Sequence, residues 1–86
     1  MSDADIRAVI RDELARLAPE IDFDALDPAV DIREQADLDS MDFLNLVTAL
    51  HQRLGVDIPD ADTPALATID GAVAYLARKG GAAPAA

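Results

Sequence analysis

Between Asp39 and Gly55 the apolar residues return every third or fourth position: Met41, Leu44, Val47, Leu50 and Leu54, with Phe43 and Leu46 widening the stripe. An α-helix gathers that spacing on one face, and a strand cannot. Such a face must be covered, and two other segments repeat the period. Ser2 with Asp5 resembles a capping box (Asp in the usual Glu position), and Ile6, Val9, Ile10, Leu14 and Leu17 follow as one face. Thr68 is placed to cap a last helix whose face is Ile69, Ala72, Val73 and Leu76. The expectation is an all-α fold, a small four-helix bundle of three main helices plus one short helix. Thr63-Pro64 opens the short helix, with proline in its first position and Leu66 on its inner side.

The punctuation sets the boundaries. Pro19 makes Ala18 the end of the first helix. Residues 19–38 read as a long irregular loop between the first two main helices, with apolar anchors at Ile21, Phe23, Leu26, Val30 and Ile32. A loop of that length in so small a domain is functional or packed down, and the anchors favour packed down. The second main helix runs from about Ser40 to Leu54 and stops at Gly55 in the C-cap role. Val56-Asp57-Ile58-Pro59 reads as extended, with Val56 and Ile58 turned inward. Gly71 weakens the last helix by roughly 1 kcal/mol against alanine, so that helix depends on packing. The domain is expected to span residues 1–79, with 80–86 as a flexible tail.

Composition excludes several classes of function. At 86 residues the chain makes one domain with a small core. It has no cysteine, so neither disulfides nor thiolate metal sites are available. No stretch is long and apolar enough to span a membrane, and the acidic N-terminus lacks the basic and apolar regions of a signal peptide. A cytoplasmic monomer is the default. Seventeen Asp and Glu against seven Lys and Arg give a net charge of -10. Nucleic acid is therefore a poor partner, whereas a basic patch on another protein is the natural complement.

No catalytic constellation stands out. His51 lies eleven residues beyond Ser40, which returns it to nearly the same helix face but roughly 16 Å along the axis, too far to act as a base for that serine. It reads as a solvated residue or a partner contact. Asp22, Asp24, Asp27 and Asp31 lack the ligand spacing and turn glycine of a calcium loop and read as a solvated acidic face, with no metal expected. Ser40 itself admits two readings, a helix cap or a point of covalent attachment, and Asp39 before it also suits the N-cap.

The run Leu38-Asp39-Ser40-Met41-Asp42 is similar to the Asp-Ser-Leu attachment motif of acyl carrier proteins. Gly55-Val56-Asp57-Ile58-Pro59 and the Thr68-capped final helix follow in that family's order, and the resemblance covers about Asp3 to Arg78. It implies a carrier that performs no chemistry itself. A phosphopantetheinyl transferase would use coenzyme A to load 4′-phosphopantetheine onto Ser40, and the arm's thiol would carry an acyl group as a thioester. A chain without cysteine needs an imported thiol, and a serine without a local base needs another enzyme. The resemblance also gives Asp37, Asp39 and Asp42 a role as an acidic collar for a transferase or acyl-transfer enzyme, with Met41 and Asn45 beside them. Leu44, Val47, Leu50, Ile69 and Leu76 are expected in the core.

The departures from the family pattern narrow the expectation. Where fatty acid carriers typically bear glutamates along the second helix, Asn45, His51 and Gln52 stand here, followed by Arg53. Thirteen of the seventeen acidic residues lie at or before Asp42, and none falls between Phe43 and Val56. The family's glycine shortly before the serine is replaced by Asp37. A specialised acyl carrier in a lipid, polyketide or modification pathway is the leading expectation. The alternatives are an aminoacyl or peptidyl (D-alanyl-type) carrier, and an acidic helical adaptor in which Ser40 is only a cap.

Overall fold

In the computed structural model, which describes residues 2–81, helix follows helix with no strand among the described residues. Helix α1 spans Asp3–Leu17, α2 Ile32–Ala36, α3 Ser40–Leu54 and α4 Ile69–Leu76. Single 3-10 segments lie at Phe23–Ala25 and Asp60–Leu66, and a π-helical turn, Ala77–Gly81, continues α4. The last helix thus runs past Leu76 into the first two residues assigned to the tail. The rest of that tail, 82–86, lies outside the described residues.

Both ends of α1 follow from local chemistry. The Asp5 N–H donates to Ser2 Oγ at 3.2 Å and the Ser2 N–H to Asp5 Oδ2 at 3.3 Å, which completes the capping box. Ala18 closes the helix before Pro19. The inward face is Ile6, Val9, Ile10 and Leu14, and α3 and α4 pack across it. One charged residue is also buried there. Glu13 is 4 % exposed and accepts a 3.0 Å hydrogen bond from Arg53 of α3, whose guanidinium also lies 3.5 Å from Asp12. Glu13 holds the Arg53 guanidinium firmly in its charged form. Arg53 therefore ties α3 to α1, a role beyond the loss of acidity read from the sequence.

The long loop is packed down, but not as a bare loop. Ile32 is fully buried and opens the five-residue helix α2, capped by Asp31 through the Arg33 N–H at 2.8 Å. The Ile32 N–H donates to the Ala67 carbonyl at 2.7 Å, and the Asp70 N–H to Pro28 at 3.0 Å, stitching the loop to the start of α4. Gln35 organises the interior of the loop. Its amide donates to the Asp27 and Val30 carbonyls, and its oxygen accepts from the Asp27 N–H at 2.7 Å. Phe23 and Leu26 pack against the core as expected, whereas Val30 is exposed and contributes its carbonyl instead. The loop aspartates are turn-formers as well as solvated charges. Asp22, Asp27 and Asp31 each accept a backbone N–H two residues on.

The short helix is a 3-10 segment beginning at Asp60, so Pro64 sits inside it rather than at its start. Leu66 is buried as expected, and so is Val56, with Ile58 partly covered. Gly71 has a specific reason to be glycine. A Cβ there would lie 2.7 Å from the Ala65 carbonyl oxygen and 2.8 Å from Thr68 Oγ1, so α4 approaches the 3-10 segment only without a side chain. Gly71→Ala, which in an open helix gains about 1 kcal/mol, is expected here to lose about 1–3 kcal/mol through overpacking, measured by urea unfolding.

Tyr75 is 5 % exposed, and its hydroxyl donates to the Asp62 carboxylate. Burial, reinforced by Asp62, pushes the phenol up to about 12. A group raised above its unfolded value of ~10 contributes stability that is complete below pH ~10 and is lost as pH rises toward 12. Because the chain has one tyrosine and no tryptophan, absorbance near 295 nm reads Tyr75 directly. Its titration should lie above that of the urea-unfolded chain, and Asp62→Asn should close part of the gap while burial retains the rest.

Candidate functional site

The start of α3 is fixed by Asp39 rather than by Ser40. The Asp39 carboxylate accepts the Asp42 N–H at 2.8 Å, and its carbonyl accepts the Phe43 N–H at 3.0 Å. That overturns the cap reading of Ser40. The serine is the first helical residue and is exposed, with a hydroxyl that the helix does not use as its cap.

Which face of α3 turns inward also differs from the expectation. Phe43, Leu46, Val47 and Leu50 are buried, whereas Met41 is 68 % and Leu44 51 % exposed. The inward stripe is 43, 46, 47, 50 and 54. Met41 and Leu44 fall on its outer shoulder because Phe43 and Leu46 supply a larger apolar surface in a competing phase. The core assignment of Leu44 was therefore wrong, and those of Val47, Leu50, Ile69 and Leu76 were right.

Asp39, Ser40, Met41, Asp42 and Asn45 share the first two turns of α3, and Asp37 lies in the link before them. All are exposed except Asp42, which is half-buried. Asp37 ends α2 at φ 54° and ψ 41°, the left-handed region that favours glycine. This gives a physical reason for a glycine in the family pattern just before the serine. Aspartate tolerates the region better than most residues and here adds a charge. Arg33 of α2 is held by Asp31 at 2.7 Å, and its guanidinium lies 5.0 Å from the centre of the Phe43 ring. This pairing keeps the Asp31 carboxyl below the usual carboxylate range.

His51 is not simply solvated. Its Nδ1 bonds the Val56 carbonyl, closing the turn after α3 beside the left-handed cap Gly55. Nothing in the sequence marks that bond, because a side chain reaching a backbone carbonyl five residues on has no composition signature.

An exposed, uncapped serine at a helix start suits a phosphodiester. The backbone N–H groups of Ser40 and Met41 precede the first helix-capping bonds, and the helix dipole favours an anion there. Comparison with known proteins points to the same class. The family described as phosphopantetheine attachment site matches residues 4–76. The chain is 35 % identical over 72 residues to an acyl carrier protein of Campylobacter jejuni subsp. doylei, covering 84 % of this chain and 87 % of that one. An acyl carrier protein of Picosynechococcus is 32 % identical over 77 residues, covering 90 % and 89 %. One from Lactobacillus johnsonii is 38 % identical over 56 residues, covering 65 % and 70 %. The chain belongs to the acyl carrier protein family. Its prosthetic group is covalently attached 4′-phosphopantetheine, and carriers of this family are generally not catalysts but work with phosphopantetheinyl transferases and acyl-handling enzymes. No helix among the described residues is long and apolar enough to cross a membrane.

The left-handed backbone at Asp37 has a measurable consequence. Asp37→Gly should raise stability by roughly 0.5 kcal/mol, and Asp37→Val should lower it by more than about 1 kcal/mol. Asp37→Asn, which tolerates the same backbone without the charge, separates conformation from charge relief in thermal unfolding.

Proposed function

We propose that Ser40 is the attachment point and that this protein is a specialised acyl carrier within the unit 1–79, serving a dedicated lipid, polyketide or modification pathway in the cytoplasm. The observation that carries the reading is the exposure of Ser40 at the first residue of α3, with the cap role held by Asp39. A transferase would bring coenzyme A to this hydroxyl. Ser40 Oγ loses its proton to a base of the transferase and attacks the phosphorus next to the pantetheine. A new P–O bond forms, the pyrophosphate linkage breaks, and 3′,5′-adenosine bisphosphate leaves. The arm, once bound, supplies the thiol on which the acyl group is carried as a thioester.

Asp37, Asp39 and Asp42 form the collar that steers basic residues of the transferase and of acyl-transfer enzymes toward Ser40. Met41 fits an apolar pocket of such a partner, and Asn45 supplies a neutral polar contact beside it. The rest of the outer face of α3, Thr48 and Gln52, is uncharged. Partners therefore need basic residues opposite the start of the helix and not along its length. This is the support for a carrier with dedicated partners.

Incubation with coenzyme A, magnesium and a broad-specificity phosphopantetheinyl transferase should add one phosphopantetheine to the intact mass, with no addition to a folded Ser40→Ala variant. No gain from the folded wild-type chain, or an addition that survives in Ser40→Ala, would overturn the assignment of Ser40.

A further inference from the structure

Between Arg16 and Arg53 the chain has a single cation, Arg33, and two contacts fix where its charge sits. Its Nε and Nη2 donate to the two carboxylate oxygens of Asp31 at 3.1 and 2.7 Å, and its guanidinium carbon lies 5.0 Å from the centre of the Phe43 ring. The backbone of the same residue is tied to the site. The Arg33 carbonyl accepts the N–H groups of Asp37 and Leu38, in the link that runs into Asp39 and Ser40. Phe43 follows Ser40 by three positions on α3, which makes the two side chains neighbours on the helix surface, with Cβ atoms roughly 5–6 Å apart. The guanidinium against Phe43 therefore stands beside the first turn of α3, on its α2 side.

That arrangement leaves part of the fork unused. A guanidinium carries N–H donors on both edges of one plane. Asp31 takes the edge of Nε and Nη2, whereas Nη1 has no hydrogen-bond partner among the described residues. The side chain is 45 % exposed, so a ligand can reach it. Because Asp31 and Phe43 already hold it, a further contact costs little additional rotamer freedom. The loaded serine has a matching need. A phosphodiester on Ser40 is an anion beside the carboxylates of Asp37, Asp39 and Asp42, and the helix start offsets that repulsion only in part.

We propose that Arg33 binds the phosphodiester of the loaded carrier, its free Nη1 donating to a non-bridging phosphate oxygen while Asp31 and Phe43 keep the guanidinium in place. The contact holds the phosphate on the α2 side of the serine and so sets the direction in which the arm leaves the helix. The proposal rests on Ser40 as the attachment point and deepens that reading by naming the residue that receives the group.

The test compares four forms of the full chain by urea unfolding at low salt: wild type and Arg33→Gln, each as the apo protein and after loading from coenzyme A by a broad-specificity transferase. Arg33→Gln removes the contacts to Asp31 and Phe43 from both forms, so their loss cancels in the cycle. The loaded form should lose roughly two- to fivefold more of its folding equilibrium constant than the apo form, as expected of an exposed ion pair, and the excess should fade at high salt. In the wild-type protein the Arg33 guanidinium resonances should move on loading, read by 15N NMR. Equal losses in the apo and loaded forms, which a merely structural role predicts, or guanidinium resonances that loading leaves unmoved would overturn the proposal. The second reading needs no variant and holds even where Arg33→Gln fails to fold. Failure of the attachment reading shows earlier and separately, as no mass gain at Ser40 before either measurement.

Discussion

The Asp39 carboxylate holding the first turn of α3 is the contact on which the site depends. A helix start leaves four N–H groups without internal partners, and the residue that satisfies them decides what its neighbours are free to do. Had Ser40 served as the cap, its hydroxyl would have been engaged with the backbone and turned into the helix end. With Asp39 in that place, Ser40 moves one position into the helix, its hydroxyl reaches solvent, and the chain supplies a dipole suited to the phosphodiester. One carboxylate therefore fixes the helix and leaves the Ser40 hydroxyl out of the cap.

The packing explains why this start stays where it is. α3 is pinned along its inner face by Phe43, Leu46, Val47 and Leu50, at its end by Arg53 reaching Glu13 of α1, and at the following turn by His51 bonded to Val56. The Arg53–Glu13 contact stabilises less by its own attraction than by preventing an uncompensated charge in the interior. Its removal would loosen α1 from α3 while leaving the cap intact. The position of the helix start is thus held by contacts along and beyond α3 as well as by its cap.

The three main helices were legible because apolar period, capping residues and Pro or Gly punctuation agreed at each. The phase of α3 was less so. Period alone locates a stripe, but with seven large apolar residues on α3 two phases compete, and only packing chose the one that exposes Met41 and Leu44. Helix α2 was missed because five residues are too few to show a period, and its stability comes from Ile32 and the Asp31 cap. Gln35 and His51 were illegible for a common reason: each reaches backbone groups whose position the sequence does not encode locally. Gly71 was visible as a weakness in α4, but the close approach to Ala65 that requires it appears only in three dimensions. Ser40 and its acidic neighbours were legible as a motif, and since Asp39 and Ser40 both suited the cap, the choice of Asp39 needed the geometry.

Exposed apolar residues and uncompensated charge at one end of one helix are costly features in a protein with so thin a core. Among the described residues, Arg7, Arg16, Arg33 and Arg53 are each committed to an ion pair, and none of those pairs includes Asp37, Asp39 or Asp42. The collar therefore keeps its field, while Met41 stands beside it without cover. A surface selected only for stability would place a cation there and a polar residue at 41. The partner surface proposed above, basic with an apolar pocket, would relieve both features at once. Farther along α3 neither feature persists, so complementarity is concentrated within about two turns of the serine. For partners docking as proposed, orientation would come from the few contacts around Ser40, and one that misreads them would gain no compensating charge contacts from the rest of the helix.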